Sequence, residues 1–293
     1  MPRQHNFNRI ELWYILDLRK WKEGKLRALL NIINEHRGFG RQIGKLAVLE
    51  LKRRFKGSFL GSAWAVVGPF TTLLLFWFVF TIGLRQGNEI HGTSFFLFLM
   101  VGLVPWFFMR DMIVGGARAI RGNAQFVTKI NFPVSTINTF TAVSHLIVHA
   151  LLFACMYVYL IIIGYAPSIY NLQIFFYLPL AFLFFLALSW TISTWVVFSP
   201  DLQSFISSIM TAIFWLSGVL WNSYDLQVVW LKKLLLFNPV TFIVNGYRKT
   251  FLYNEWFWEN PLETYVFLGM LVIVIAFGVF NYTRLRKDMA DVL

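Results

Sequence analysis

Residues 41–83 read RQIGKLAVLELKRRFKGSFLGSAWAVVGPFTTLLLFWFVFTIG, and this stretch determines the class of the fold. Its first part has the pattern of a basic amphipathic helix that ends in the cluster KRRFK at residues 52–56. About twenty-five uncharged residues follow, which is long enough to cross a hydrocarbon core of about 30 Å. Positive charge beside a span favours the cytosolic side. The stretch therefore predicts a first span that begins in the cytosol.

The composition extends this prediction to the whole chain. Of 293 residues, 58% are hydrophobic and 14% are charged, and the apolar residues occur in runs of roughly twenty instead of alternating with polar faces. We therefore predict an all-α, multi-pass membrane protein. We expect no cleaved signal peptide, because the first sixty residues lack an apolar stretch followed by a small-residue cleavage site.

Charge-free runs predict six spans, with both termini in the cytosol. A loop from Arg85 to Thr93 joins the first two spans. Residues 222–261 precede the last span, and their apolar part is too short to cross and is broken at Asn238-Pro239. Four cations in this segment, Lys232, Lys233, Arg248 and Lys249, would be hard to bury, so we expect short re-entrant or interfacial helices on the outer side. The six spans are expected at 60–84, 94–117, 134–163, 174–198, 202–221 and 262–282, and a cytosolic tail at 284–293.

Residues 1–57 form a basic region, with fourteen Lys and Arg against five Asp and Glu. Two interfacial helices divided at Gly38-Phe39-Gly40 fit the pattern, and anionic lipid head groups are a simpler partner for them than nucleic acid. They act either as a membrane anchor or also as a docking surface for a cytosolic partner. Glu50 and Arg54 are spaced four residues apart and can pair.

Catalytic and nucleotide-binding motifs are missing from the sequence. GFGRQIGKL at 38–46 resembles a phosphate-binding loop, but it has Phe39 where glycine is needed and Leu46 where Ser or Thr would hold magnesium. We therefore expect no catalytic site, no metal and no cofactor in this chain. If ATP drives its activity, ATP and magnesium must be bound by another subunit.

Polar residues inside the spans allow two interpretations each. Arg110 and Asp111 either neutralise each other or line a path, since charges at this depth usually face protein or water. His145 and His149, four residues apart, fit packing hydrogen bonds better than a metal site, because no third ligand is near in sequence. One face of the fifth span carries hydroxyls that either pack helices closely or line a path for a polar substrate, namely Ser204, Ser207, Ser208 and Thr211. Aromatic residues of spans one and five either face lipid and core or seal around a sugar, among them Phe70, Phe76, Trp77, Phe214 and Trp215.

Four motifs together resemble the transmembrane subunit of ABC-2 type exporters of lipid-linked polysaccharides. The first three are LELKRRFKGSFLGSAWAVVGP at 49–69, NAQFVTKINFPVS at 123–135 and LFNPVTFIVNGYRKTFL at 236–252. The fourth, WFVFTIGLRQGNEIHGTSFFLFLMVGLVPWFF at 77–108, is most similar to the teichoic acid export permeases of Gram-positive bacteria. The resemblance covers about residues 41–287 and assigns 58–283 to the ABC-2 transmembrane domain.

The resemblance implies a homodimer that works with two copies of a cytosolic ATPase. It implies coupling to the ATPase through the interfacial helix and a coupling helix at 118–130, with contact residues Glu50, Arg54, Arg118, Arg121, Asn123 and Lys129. It also implies lateral access of lipid between spans one and five, which adds Phe59 and Arg110 to the aromatic and hydroxyl residues of the path.

The function expected on this basis is export of wall teichoic acid linked to undecaprenyl diphosphate across the plasma membrane. The alternative is an O-antigen or capsule exporter, or a smaller lipid or drug permease. An integral membrane enzyme is disfavoured because the cytosolic loops contain almost no acidic residues, and a scaffold without transport is a further rival.

Overall fold

The structure, a computed structural model, describes residues 9–83, 89–90, 92–130 and 132–293, with only the backbone described for 9–29. Most of the predicted loop at 85–93, and the predicted end of span one at residue 84, therefore lie outside the described residues. The structure is 82% helical with almost no sheet, so the prediction of an all-α membrane protein is confirmed. The helices are α1 (Arg9–Arg54), α2 (Trp64–Trp77), α3 (Phe95–Gly122), α4 (Ala124–Thr128), α5 (Val134–Ile162), α6 (Ile174–Phe198), α7 (Leu202–Leu216), α8 (Val229–Leu236), α9 (Pro239–Arg248), α10 (Pro261–Leu285) and α11 (Met289–Val292).

Five helical segments of the described chain are long and apolar enough to span a membrane. The first, Gly61–Gly83, is α2 extended by a 3-10 turn before it and a π-helical turn after it. The others are α3, α5, α10 and the segment Ile169–Phe198, which contains α6. Two short strands, β1 (Glu89–Ile90) and β2 (Thr93–Ser94), pair antiparallel between the first two spans.

The spans differ greatly in how deeply they lie in the bundle. In the most apolar part of α3, 78% of residues are buried, against 6% for Gly61–Gly83. Helices α5, α6 and α9 pack around α3. Polar side chains fasten α5 to α6 in this core, since the Asn138 amide donates to the Ser189 carbonyl and to the Ser193 hydroxyl, each at 3.0 Å. The bundle therefore has one central span and a peripheral first span.

The N-terminal region is one helix, so the prediction of a break at Gly38-Phe39-Gly40 is wrong. A glycine inside a helix costs only about 1 kcal/mol relative to alanine, and tertiary contacts offset that cost here. The ring of Phe39 packs edge-on against Phe132 at 5.3 Å. Glu35 accepts a hydrogen bond from Ser135 at 2.5 Å and pairs with Arg286 at 3.3 Å, which fixes α1 to α5 and to the end of α10. We call the end of the bundle where α1, α4 and α11 meet the basic end.

Two predicted boundaries also need correction. The fifth span was expected at 202–221, but α7 ends at Leu216, because the chain turns at Gly218, which has φ +67°. Its 15 residues rise only about 22 Å, less than the hydrocarbon thickness. The coupling helix was expected at 118–130, but α3 continues to Gly122 and only α4 is separate. Asn123 divides the two helices, and its amide donates to the Ala119 carbonyl at 2.9 Å.

The segment before the last span forms two short helices, as predicted, and they lie at the end of the bundle opposite α4. Asn238 separates α8 from α9 and caps α9 by accepting from the Val240 N–H at 3.0 Å. The expectation that Arg248 and Lys249 would stay unburied is wrong, since they are 1% and 2% exposed.

Specific partners make these two buried cations possible. Arg248 donates to the carbonyls of Gly218 and Val219 at 2.8 and 2.6 Å and lies over the Phe98 ring. Lys249 pairs with Glu263 at 2.9 Å. Tyr224 also donates to Glu263, at 3.2 Å, and burial together with that carboxylate raises the pKa of Tyr224 well above its usual range, so it remains a donor.

Helix α10 offers a direct test of this packing. A Cβ at Gly278 would lie 2.6 Å from the Ala187 carbonyl oxygen of α6, whereas a Cβ at Gly269 would meet nothing within 4 Å. We expect Gly278→Ala to destabilise the protein by about 1–3 kcal/mol and Gly269→Ala to leave stability unchanged or slightly raised. Thermal unfolding of both variants in detergent measures this, and equal melting temperatures would contradict the close packing of α6 and α10.

Candidate functional site

A cleft of about 450 Å³ opens between α1, α3 and α5 toward the basic end of the bundle. Five of the residues predicted for coupling or for the path meet there, although they are far apart in sequence. We call this site the basic cleft. Its polar lining consists of Glu50, Arg53, Arg54, Arg110, Asp111, Arg118, Asn123, Thr141 and His145.

Positive charge dominates the basic cleft, with four arginines against two carboxylates. Arg53 pairs with Glu50 at 3.0 Å, and Arg110 lies 3.5 Å from Asp111. The predicted pairing of Glu50 with Arg54 is replaced by this Glu50–Arg53 pair. In the described part of the chain, no ion pair of 4.0 Å or less involves Arg54 or Arg118. The cleft therefore carries excess positive charge that an anion can neutralise.

His145 holds α1 against the bundle at the base of the cleft. Arg54 Nη2 lies 3.0 and 3.1 Å from the two ring nitrogens of His145, one of which accepts its hydrogen bond. The ring fits because Gly115 has no side chain, since a Cβ there would lie 2.2 Å from His145 Nε2. His149, one turn further along the same face of α5, packs on the Phe108 ring of α3 at 4.7 Å and lies 2.8 Å from the Tyr247 hydroxyl. Sequence reasoning weighed the two histidines together and missed both the Arg54 contact and the role of Gly115, which no sequence spacing signals.

The cleft reaches deep into the level of the membrane. Arg110 is the sixteenth of the 28 residues of α3, near the middle of a helix that is long and apolar enough to span a membrane. Its side chain is 52% exposed, and so it faces the cleft and not the protein core. A charge at that depth is costly in lipid, which favours a site that contains water or ligand.

The two remaining coupling candidates, Arg121 and Lys129, lie around α4, outside the cleft. Arg121 donates to the Val197 carbonyl at 3.0 Å at the end of α6. Lys129 is exposed just after α4. Phe126 turns inward and packs against Phe132 at 5.2 Å. Helix α4 therefore exposes polar side chains on its outer surface, while its inner side packs through the aromatic ring of Phe126.

Three of the predicted gate aromatics meet between α2 and α7. Phe76 lies 5.3 Å from the Phe214 ring and 6.4 Å from the Trp215 ring. Trp77 packs elsewhere, edge-on to Phe96 at 6.3 Å. Phe70 is half exposed and Phe59 is fully exposed, so neither joins this group.

The hydroxyl face of α7 is exposed along its whole length in the single chain. Ser204, Ser207, Ser208 and Thr211 are all exposed. The hydroxyls of Ser207 and Ser208 donate to carbonyls four residues back, each at 3.0 Å, and so need no other partner in an apolar setting. No helix in the described part of the chain covers this face, so its neighbour is lipid, a second copy or a substrate path.

The fold and site define a multi-pass α-helical membrane protein with a charged cleft at one end and no recognisable catalytic motif. The sequence profile of the ABC-2 type transporter family matches residues 41–252, and the chain belongs to this family. ABC-2 permeases work with an ABC nucleotide-binding subunit.

Similar proteins cover most of this chain. It is 28% identical over 236 residues to the O-antigen export system permease protein RfbA of Myxococcus xanthus, covering 80% of this chain and 89% of that protein. It is 26% identical over 252 residues to the protein of the same name from Klebsiella pneumoniae, covering 83% and 92%.

Gly115 tests how α1 is held at the cleft. We expect Gly115→Ala to displace the His145 ring and to break its contact with Arg54, so backbone amides of residues 41–54 should exchange hydrogen faster. Gly122→Ala is the matched control, because its Cβ would meet only Arg53 Nη2 at 3.9 Å. Hydrogen exchange followed by mass spectrometry measures both, and equal exchange in the two variants would contradict the role given to His145.

Proposed function

We propose that this chain is the permease subunit of an ABC transporter that exports a lipid-linked polysaccharide across the plasma membrane. Membership of the ABC-2 family over residues 41–252, with O-antigen export permeases among the relatives, is the observation that carries the proposal. The exposed hydroxyl face of α7 and the aromatic group between α2 and α7 support it, since sugars suit hydroxyl and aromatic surfaces better than aliphatic ones.

The substrate class divides into two candidates. The relatives named for O-antigen export favour an O-antigen-type polymer. The similarity of residues 77–108 to teichoic acid exporters favours a wall teichoic acid, which is a polyol-phosphate polymer. Both candidates share a long-chain lipid diphosphate at one end, and this common part suits the excess positive charge of the basic cleft.

The surfaces that one copy leaves open support a homodimer. The first span is almost unburied within its own chain, and the hydroxyl face of α7 is exposed beside it. Pairing two copies through this side would enclose a path lined by hydroxyls and aromatics. Two copies of a cytosolic ATPase, each binding ATP and magnesium, would drive the cycle, with both termini of this chain on the same cytosolic side.

The ATPase activity of the assembled transporter tests the substrate class. We expect a lipid-linked O-antigen or a lipid-linked teichoic acid to stimulate ATP hydrolysis when the permease and its ATPase subunit are together in nanodiscs. Stimulation by the one and not by the other identifies the substrate. If neither polymer changes hydrolysis, polysaccharide export is contradicted.

The outer surface of α4 is proposed to contact the ATPase. Lys129→Glu should reduce substrate-stimulated hydrolysis at least about tenfold by placing an acid in that contact, while the protein remains in the membrane. Lys232→Glu is the control, because Lys232 is equally exposed but lies on α8, at the end of the bundle opposite α4. Unchanged coupling in the Lys129 variant would contradict this contact.

Replacing Ser204, Ser207 and Ser208 together separates the two interpretations of the α7 face. With leucine at all three positions, we expect export to stop while dimers still form, because the larger apolar side chains obstruct a path for a polar polymer. The triple alanine variant keeps the face small and is the control. Loss of the dimer in the leucine variant, measured by mass photometry, would instead assign this face to packing between copies.

A further inference from the structure

A second pocket, of about 230 Å³, lies between α2, α3 and α5. Its lining is almost wholly apolar and includes Phe70, Leu103, Phe107, Leu152 and Tyr159, with Cys155 in its wall. Phe70 and Cys155 are exposed, so the pocket opens at the surface of the bundle. All three helices contribute from membrane-spanning segments, which places the opening toward the lipid.

The register of the helices joins this apolar pocket to the basic cleft. Residues seven apart lie on the same face of a helix. On α3, Met100 and Phe107 line the apolar pocket, and Val114, seven residues further, lines the basic cleft. On α5, Leu152 and Tyr159 line the pocket, and His145 lines the cleft.

The two cavities thus lie one after the other along the same side of α3 and α5, and we call the two together the α3–α5 groove. Its basic part lies toward the basic end of the bundle, and its apolar part lies toward the opposite end. Phe107 and Arg110 mark the change, only three residues apart. A ligand of this groove needs an anionic end and an apolar end in the same order.

We propose that the α3–α5 groove binds a single-chain lipid diphosphate, with the diphosphate in the basic cleft and the start of the hydrocarbon chain in the apolar pocket. This rests on the proposed function, because that lipid is the carrier end of the exported polymer. The site differs from the access between spans one and five that the resemblance implies, since α7 contributes nothing to the groove.

Charge and shape favour this lipid over a bulk phospholipid. The cleft has two more arginines than carboxylates, and a diphosphate supplies more negative charge and more acceptor oxygens than a phosphodiester. Arginine binds phosphate oxygens through two parallel hydrogen bonds, and Arg110 and Arg118 lie eight residues apart on one side of α3. The apolar part is one narrow pocket, which suits one chain better than two.

Equilibrium binding to the full-length permease in nanodiscs tests the proposal. The probes are radiolabelled polyprenyl diphosphate, inorganic diphosphate, unphosphorylated polyprenol and phosphatidylglycerol. We expect polyprenyl diphosphate to bind most tightly, because it alone fills both parts of the groove. Cys155, the single cysteine of the chain, reports occupancy of the apolar part. Polyprenyl diphosphate should protect Cys155 from N-ethylmaleimide, whereas inorganic diphosphate should not.

Variants assign the binding to the two parts of the groove. Arg110→Gln and Arg118→Gln should each weaken binding of polyprenyl diphosphate roughly tenfold or more, the effect expected from losing a charge-assisted hydrogen bond. Arg284→Gln, an exposed arginine outside the groove, is their control. Cys155→Phe should fill the apolar part and weaken binding similarly. Val158→Phe is its control, because Val158 is exposed on the same helix without lining the pocket.

Equal affinity of the groove variants and the wild type, or equally tight binding of phosphatidylglycerol, overturns the proposal. These results are distinguishable from a failure of the proposed function. If the transporter exports polymer while the groove variants bind and export like the wild type, only the groove is wrong. If the wild type binds polyprenyl diphosphate at the groove but no polymer stimulates the ATPase, the groove stands and the transported substrate is wrong.

Discussion

The central position of α3 constrains the rest of the structure. Most of the apolar part of α3 is buried against α5, α6 and α9. The charged residues of α3 can therefore be exposed only on the one side of the helix that these neighbours leave open, which we call its flank. Arg110, Val114 and Arg118 recur every four residues on that flank. Charges at membrane depth need water, a counter-ion or a ligand, and the amphipathic α1, with Glu50 and Arg54, closes over the flank to form the basic cleft. The burial of one helix thus explains why charged residues from distant parts of the chain meet.

The periphery of the bundle has the opposite character. The first span and α7 leave an aromatic and hydroxyl surface uncovered in one copy, while a buried polar network fixes the far end through Arg248, Lys249 and Glu263. Our proposal of a path between two copies requires both features: one end of the bundle held by buried polar contacts, and one side of the bundle that a single copy leaves uncovered. The α3–α5 groove is lined by α1, α2, α3 and α5 and not by α7, so the proposed lipid site and the proposed polymer path use different neighbours of the first span.

The sequence predicted the elements that depend on local pattern. Uninterrupted apolar runs gave the long spans, and Asn238-Pro239 gave the division between α8 and α9. It failed where tertiary contacts outweigh local preference, since Phe39 and Glu35 keep α1 continuous through two glycines. It also failed for Arg248 and Lys249, because backbone carbonyls of residues 218 and 219 and the Glu263 carboxylate come from other elements. In the cleft, charge pattern and the family resemblance were enough to predict Arg54, Arg110 and Arg118 as site residues. The contact of Arg54 with His145 depends on Gly115, whose role appears only when α3 and α5 are packed together.

Translocation in proteoliposomes tests the central claim most directly. The permease and its ATPase subunit are reconstituted with a fluorescent lipid-linked polysaccharide, and quenching from one side measures how much of the label has crossed. The account predicts ATP-dependent movement of the label away from the ATPase side, which an ATPase subunit unable to hydrolyse ATP does not support. If the label moves at the same slow rate with and without ATP hydrolysis, the chain is not the permease of a polysaccharide exporter.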